Sequence, residues 1–187
     1  MKTPLRNAPI NFHCPHRFRE RMAKVLAQQL ADAIDLQIQL THAQWNIRGP
    51  QFLALHLFFD QLASVAGETV GEIARRLGEL GERSPHVLQV AVTQSRLPVY
   101  PSRDGSDELH IAVAARVLES FSASAGEAAR KAFDLQDFGS TGILARAGQT
   151  TDKLHGMILL YLKRRQQATG MNDSAQIGIA EEEGKAA

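Results

Sequence analysis

His56 and Asp60 stand four residues apart, and a helix of 3.6 residues per turn projects both from one face. An imidazole and a carboxylate at that spacing can serve as two ligands to a metal ion, or simply hydrogen-bond to each other. Ahead of them, Gln44-Trp45-Asn46-Ile47-Arg48-Gly49-Pro50 couples an aromatic residue to a helix break. Glu68 and Glu72 form a second one-turn pair, now of two carboxylates. They are candidate auxiliary metal ligands, beside a plainer reading as charged surface or subunit-contact residues. His42, two positions before Gln44, reads as a histidine at the edge of the core. His13-Cys14-Pro15-His16 gathers three ligands suited to zinc or copper, but no fourth is identifiable, and Pro15 alone would shape a helix start.

The elements that must position these groups are helical. Phe18, Met22, Val25, Leu26, Leu30, Ala33, Ile34, Ile38 and Trp45 follow the three-or-four spacing of one buried stripe, with Trp45 as a packing anchor. Gly49-Pro50 ends that helix. A second carries Leu55, Phe58, Phe59, Leu62, Val65, Ala66, Thr69, Ile73, Leu77 and Leu80, and closes at Gly81. Leu53 and Leu57 lie off this stripe, so the second helix is apolar on more than one face and is expected to meet a subunit partner. A connection from about Glu82 to Gly105, with Pro85, Pro98 and Pro101, leaves room for one short helix at Val87–Thr93. Ser106, Asp107 and Glu108 start a third helix, whose stripe runs His110, Ala114, Val117, Leu118, Phe121, Ala125, Ala128 and Ala132. A fourth begins near Gly139–Gly142 and carries Ile143, Leu144, Ala147, Thr151, Leu154, Ile158 and Leu162. No segment alternates with a period of two. The expectation is an all-α four-helix bundle, with a long crossover between the second and third helices. Residues 1–15 and 167–187 read as tails around a 16–166 domain.

Composition limits the function. Of the 187 residues 44% are apolar, and no run approaches a membrane span. The lone Cys14 excludes an internal disulfide framework and fits a cytoplasmic setting. A net charge of +1 supplies no general attraction to nucleic acid, so any DNA binding must come from local patches.

The stretch from Gln44 to Asp60 resembles the Dps family, the miniferritins of starved cells, whose pattern runs His-Trp-Asn-(apolar)-x-Gly-x-x-Phe-x-x-(Leu/Val)-His-x-x-x-Asp. Tyr100-Pro101 and Asp152-Lys153 also look like that family. The resemblance implies a ferritin-like bundle assembled through two-fold dimers into a hollow dodecamer. It further implies iron binding and storage, iron(II) oxidation by hydrogen peroxide, and protection of DNA against oxidative stress. His56 and Asp60 match its ligand positions; Gln44, Gly71 and Arg75 stand where it places His, Asp and Glu. Positions 56 and 75, and 60 and 71, are symmetric about a point between residues 65 and 66. Two antiparallel copies of the helix would therefore build two identical sites. Gly71 brings no side chain and Arg75 a permanent cation, which favours an Arg75–Asp60 contact across the seam and leaves a non-catalytic shell, or a DNA- or partner-binding protein, as the alternative function.

DNA binding, if sequence-independent, rests on Lys2, Arg6, Arg17, Arg19 and Arg21, with Lys24 and Lys163-Arg164-Arg165 nearby. In the family, acidic residues near the start of the last helix line a pore; Asp134 and Asp137 are the ones present here, with Gly139 and Gly142 beyond them, and Asp137 also suits a helix cap.

Overall fold

Only a few residues separate the helices of each pair, and connections that short reverse the chain onto itself. The computed structural model describes residues 14, 16–81, 93–101 and 105–183. After a single 3-10 turn at His16–Phe18, α1 spans Arg19–Asn46 and α2 spans Phe52–Glu79; α3 spans Asp107–Asp134 and α4 spans Phe138–Glu183. Helices α1 and α2 pack as one hairpin and α3 and α4 as the other; α1 then lies on α3 and α2 on α4. Among the described residues there is no strand. The protein is a four-helix bundle with one long crossover.

Each boundary has a local cause. Gly81 adopts φ +86° and its N–H bonds Gly78 O at 3.0 Å, the left-handed step that ends α2. Ser106 caps α3 by accepting from Leu109 N. Asp107 reaches back to the α1–α2 turn, accepting from Arg48 N at 3.1 Å and Gly49 N at 3.0 Å. A Cβ at Gly49 would lie 2.3 Å from that carboxylate, so glycine is what lets the two hairpins meet there. Asp137 caps α4 through Ser140 N at 3.0 Å.

The α3 stripe is buried along its whole length, and the α2 and α4 stripes nearly so. The α1 stripe needs correction. Met22, Leu26, Leu30 and Ala33 are buried as expected, joined by Leu36, Leu40, Ala43 and Ile47; Val25, Ile34 and Ile38 are half-buried and Trp45 is 71% exposed. Trp45 is therefore no packing anchor within one chain. Along the middle of α1 the stripe is displaced by the crossover, which covers a polar face of the helix. Gln28 Nε2 donates to Gln94 O at 2.9 Å, Asp32 accepts from Arg96 N at 2.9 Å and from its guanidinium, and Gln39 Nε2 donates to Pro98 O at 2.9 Å. Extended backbone laid on a helix brings polar groups that need partners, so polar residues line its bed. Of the expected Val87–Thr93 helix, Thr93 is described and helical with Gln94; residues 87–92 lie outside the described residues.

At 46 residues α4 outruns the 28-residue helices α1 to α3 by about 27 Å, at 1.5 Å per residue. That extension carries helical backbone through most of the 167–187 segment.

Candidate metal centre

Both expected ligands lie on the outward face of α2. Asp60 is exposed and His56 half-buried, its ring stacked on Phe52 with centroids 5.3 Å apart. Beside them Leu53 is 68% and Leu57 59% exposed, the off-stripe residues that the sequence assigns to a partner. This face has apolar surface and candidate ligands side by side.

The chemistry of the donors is poor. Gln44 Nε2 donates to Asp60 Oδ1 at 2.9 Å, so an amide already occupies one oxygen of that carboxylate. His56 Nδ1 is sealed from solvent without a hydrogen-bond partner. A metal-bound imidazole normally anchors its second nitrogen on an acceptor, and that support is missing here. A Cβ at Gly71 would sit 3.5 Å from Arg75 Nη1, so the guanidinium lies back over the bare glycine. Glu72 faces Arg146 of α4 at 3.5 Å and Glu68 is exposed; neither joins His56 and Asp60. His42 meets Tyr100 edge to face, 4.7 Å between ring centroids, and does not join His56 and Asp60. Among the described residues no three His, Cys, Asp or Glu side chains converge to hold an ion. Within one chain the residues present do not fit an iron-oxidation centre.

Two further readings are settled by burial. Asp137 is fully buried, its Oδ1 accepting from Arg76 at 2.7 Å and its Oδ2 from Ser140 Oγ at 2.7 Å, so it caps and pairs rather than lining a pore. Arg76 also bonds Ser140 Oγ and Glu79; burial opposes its charge, but Glu79 and Asp137 outweigh that and raise its pKa. Nothing in the sequence singled out this network, since Arg76 falls between buried apolar positions. Asp134 remains exposed. Cys14 is buried, and burial with the Asp137 carboxylate beside it pushes the thiol pKa up, the reverse of what a thiolate ligand needs. His13 and Pro15 lie outside the described residues.

Of the basic residues, Arg17, Arg21 and Lys24 are exposed; Lys24 pairs with Glu20 at 2.7 Å and Arg17 stacks over the Phe18 ring. Arg19 is half-buried, and Lys2 and Arg6 lie outside the described residues. No helix among the described residues is long and apolar enough to cross a membrane.

The family model for the ferritin-like domain matches residues 23–165. A DNA protection during starvation protein of Agrobacterium fabrum is 31% identical over 88 residues, 47% of this chain and 54% of that protein. This chain thus matches about half the length of that relative. A protein of the same name from Mycolicibacterium smegmatis is 25% identical over 86% of this chain and 87% of its own. Among solved structures, a Dps protein from Vibrio cholerae O1, described as a member of a broad superfamily of ferritin-like diiron-carboxylate proteins, superposes with TM-score 0.75 at 16% identity, covering 86% of this chain and 99% of that one.

Proposed function

This chain belongs to the ferritin-like domain family, within its Dps miniferritin branch, and from that premise we propose that it sequesters iron and shields DNA from oxidative damage with a reduced capacity to oxidise iron. Iron is the substrate and cargo of this reading, not a resident cofactor. Two copies join along α2, covering Leu53 and Leu57, and the dimers assemble further into a shell. Each seam offers His56 and Asp60 from one copy, while Gly71 and Arg75 of the other add no ligand. The hydrogen bond from Gln44 to Asp60 is the single observation that carries the reduced capacity. It also favours the second reading, a shell that retains assembly and DNA binding without oxidation chemistry.

The two separate in one experiment. Iron(II) is mixed with hydrogen peroxide under anaerobic conditions and the ferric product followed by absorbance. We expect a rate above buffer that His56→Ala with Asp60→Ala abolishes. A parent rate equal to buffer removes the catalytic reading and leaves the shell. Contact with duplex DNA is through phosphate neutralisation by Lys2, Arg6, Arg17 and Arg21, hence salt-sensitive. Unchanged gel retardation at low salt after deleting residues 1–15 would exclude the leading segment. Such a protein works where the DNA is, in the cytoplasm.

A further inference from the structure

This chain has two tyrosines, and their phenols meet different partners. Tyr161, on α4, donates to Gln51 Oε1, an amide oxygen that is no base. Tyr100, on the crossover, is hydrogen-bonded to His110 Nδ1 in the first turn of α3, the two rings stacked with centroids 6.1 Å apart. His110 is 3% exposed. Burial, with His42 adding to it, lowers the imidazole's pKa, so at neutral pH His110 is an uncharged base. Burial pushes the Tyr100 phenol up to about 12, so it keeps its proton at the same pH. The phenol is the acid of the pair: its O–H donates, Nδ1 accepts, and the imidazole's own hydrogen sits on Nε2.

A phenol that loses an electron becomes a strong acid, so the ease of that loss depends on what can take its proton. At Tyr161 the proton has only solvent to go to; at Tyr100 a base already touches it. Asp107, three residues earlier on α3, favours the imidazolium that results. The Tyr100 ring also borders a groove of ≈ 530 Å³ between α1 and the crossover, where it meets the His42 ring edge to face. A small oxidant in solvent can therefore approach the ring while the hydroxyl is held by His110. We propose that Tyr100 is a redox-active residue, reversibly oxidised to a neutral phenoxyl radical by a one-electron oxidant such as the hydroxyl radical, with His110 as its proton acceptor. The phenolic O–H bond breaks; the electron reduces the hydroxyl radical to hydroxide, and the proton passes to Nδ1. A one-electron reductant such as ascorbate reverses the step, the imidazolium returning its proton to the phenolate oxygen. The site is separate from His56 and Asp60 and stands whether or not the chain oxidises iron.

Photogenerated tris(bipyridine)ruthenium(III), which removes an electron and transfers no atom, tests this on the full chain. Freeze-quenched electron paramagnetic resonance identifies the radical. Every protein in the series carries Trp45→Phe, because that single exposed indole competes as an electron donor. The expected result is a tyrosyl signal that Tyr161→Phe leaves in place and Tyr100→Phe removes. His110→Gln offers the phenol an acceptor but no base, and should slow radical formation about a hundredfold. Circular dichroism establishes that each variant is folded; should His110→Gln fail to fold, the contrast between the two tyrosine variants decides. A signal carried by Tyr161, absence of any tyrosyl signal, or equal rates with and without a folded His110→Gln change would overturn the proposal.

Discussion

At the scale of single residues, one contact decides how far Asp60 is available to anything else. The Gln44 amide donates to it from α1, so one of its oxygens already has a partner in the same chain. Tyr100 and His110 show the converse, a polar pair whose burial fixes its protonation. The phenol and His110 Nδ1 share a hydrogen bond, and burial pushes Tyr100 up to about 12. Burial also lowers His110 below the ordinary 6.5, with His42 adding to the effect and Asp107 opposing it. Below pH 6.5 the unfolded chain takes up a proton that the folded chain resists, so stability falls as pH drops through that range. Above pH 10.0 the unfolded chain releases the phenolic proton that the folded chain holds up to about 12, so stability falls again. The pair contributes fully between the two. Urea midpoints at about pH 5, 8 and 11 check this; Tyr100→Phe should flatten the alkaline limb, and an unaltered limb would refute the assignment.

At the scale of elements, the buried Arg76–Asp137 ion pair ties α2 to the N-terminal cap of α4, beside the apolar core that both helices share. Arg76→Met leaves a carboxylate buried without its cation, which costs about 3–5 kcal/mol in denaturant unfolding. Adding Asp137→Asn should recover part of that loss, because an amide oxygen can still accept from Ser140 N–H. Additive single effects would mean that the two side chains act independently. Periodicity made α3 legible from end to end because its buried positions are nearly all apolar. It misread α1, where Gln29, Asp32, Asp35 and Gln39 are buried against the crossover and displace Ile34 and Ile38 towards the surface. Hydropathy cannot anticipate a polar bed made for passing backbone. The same holds for the candidate site: His56 and Asp60 share a face by local spacing, while the Gln44–Asp60 bond depends on how α1 and α2 align, which no single helix encodes.

At the scale of the whole molecule, an isolated chain would present Trp45, Phe52, Leu53 and Leu57 to water around the candidate ligands. Covering such a strip is favourable at about 25 cal/mol per Å² of apolar surface. Light scattering should therefore report a mass well above the 20.5 kDa of one chain, and Leu57→Arg should lower it with helicity unchanged. A variant that keeps the parent mass would place the subunit contact elsewhere.

Arg75 controls what a side chain at position 71 could do. The guanidinium folds back over the space that a side chain at 71 would enter, 3.5 Å from where its Cβ would stand. An aspartate introduced there alone would meet its own helix's cation one turn on and pair with it. Gly71→Asp should leave iron uptake at the parent level, with a gain only when Arg75→Glu accompanies it. On this helix the charge at 75 has to change before a carboxylate at 71 is free of it.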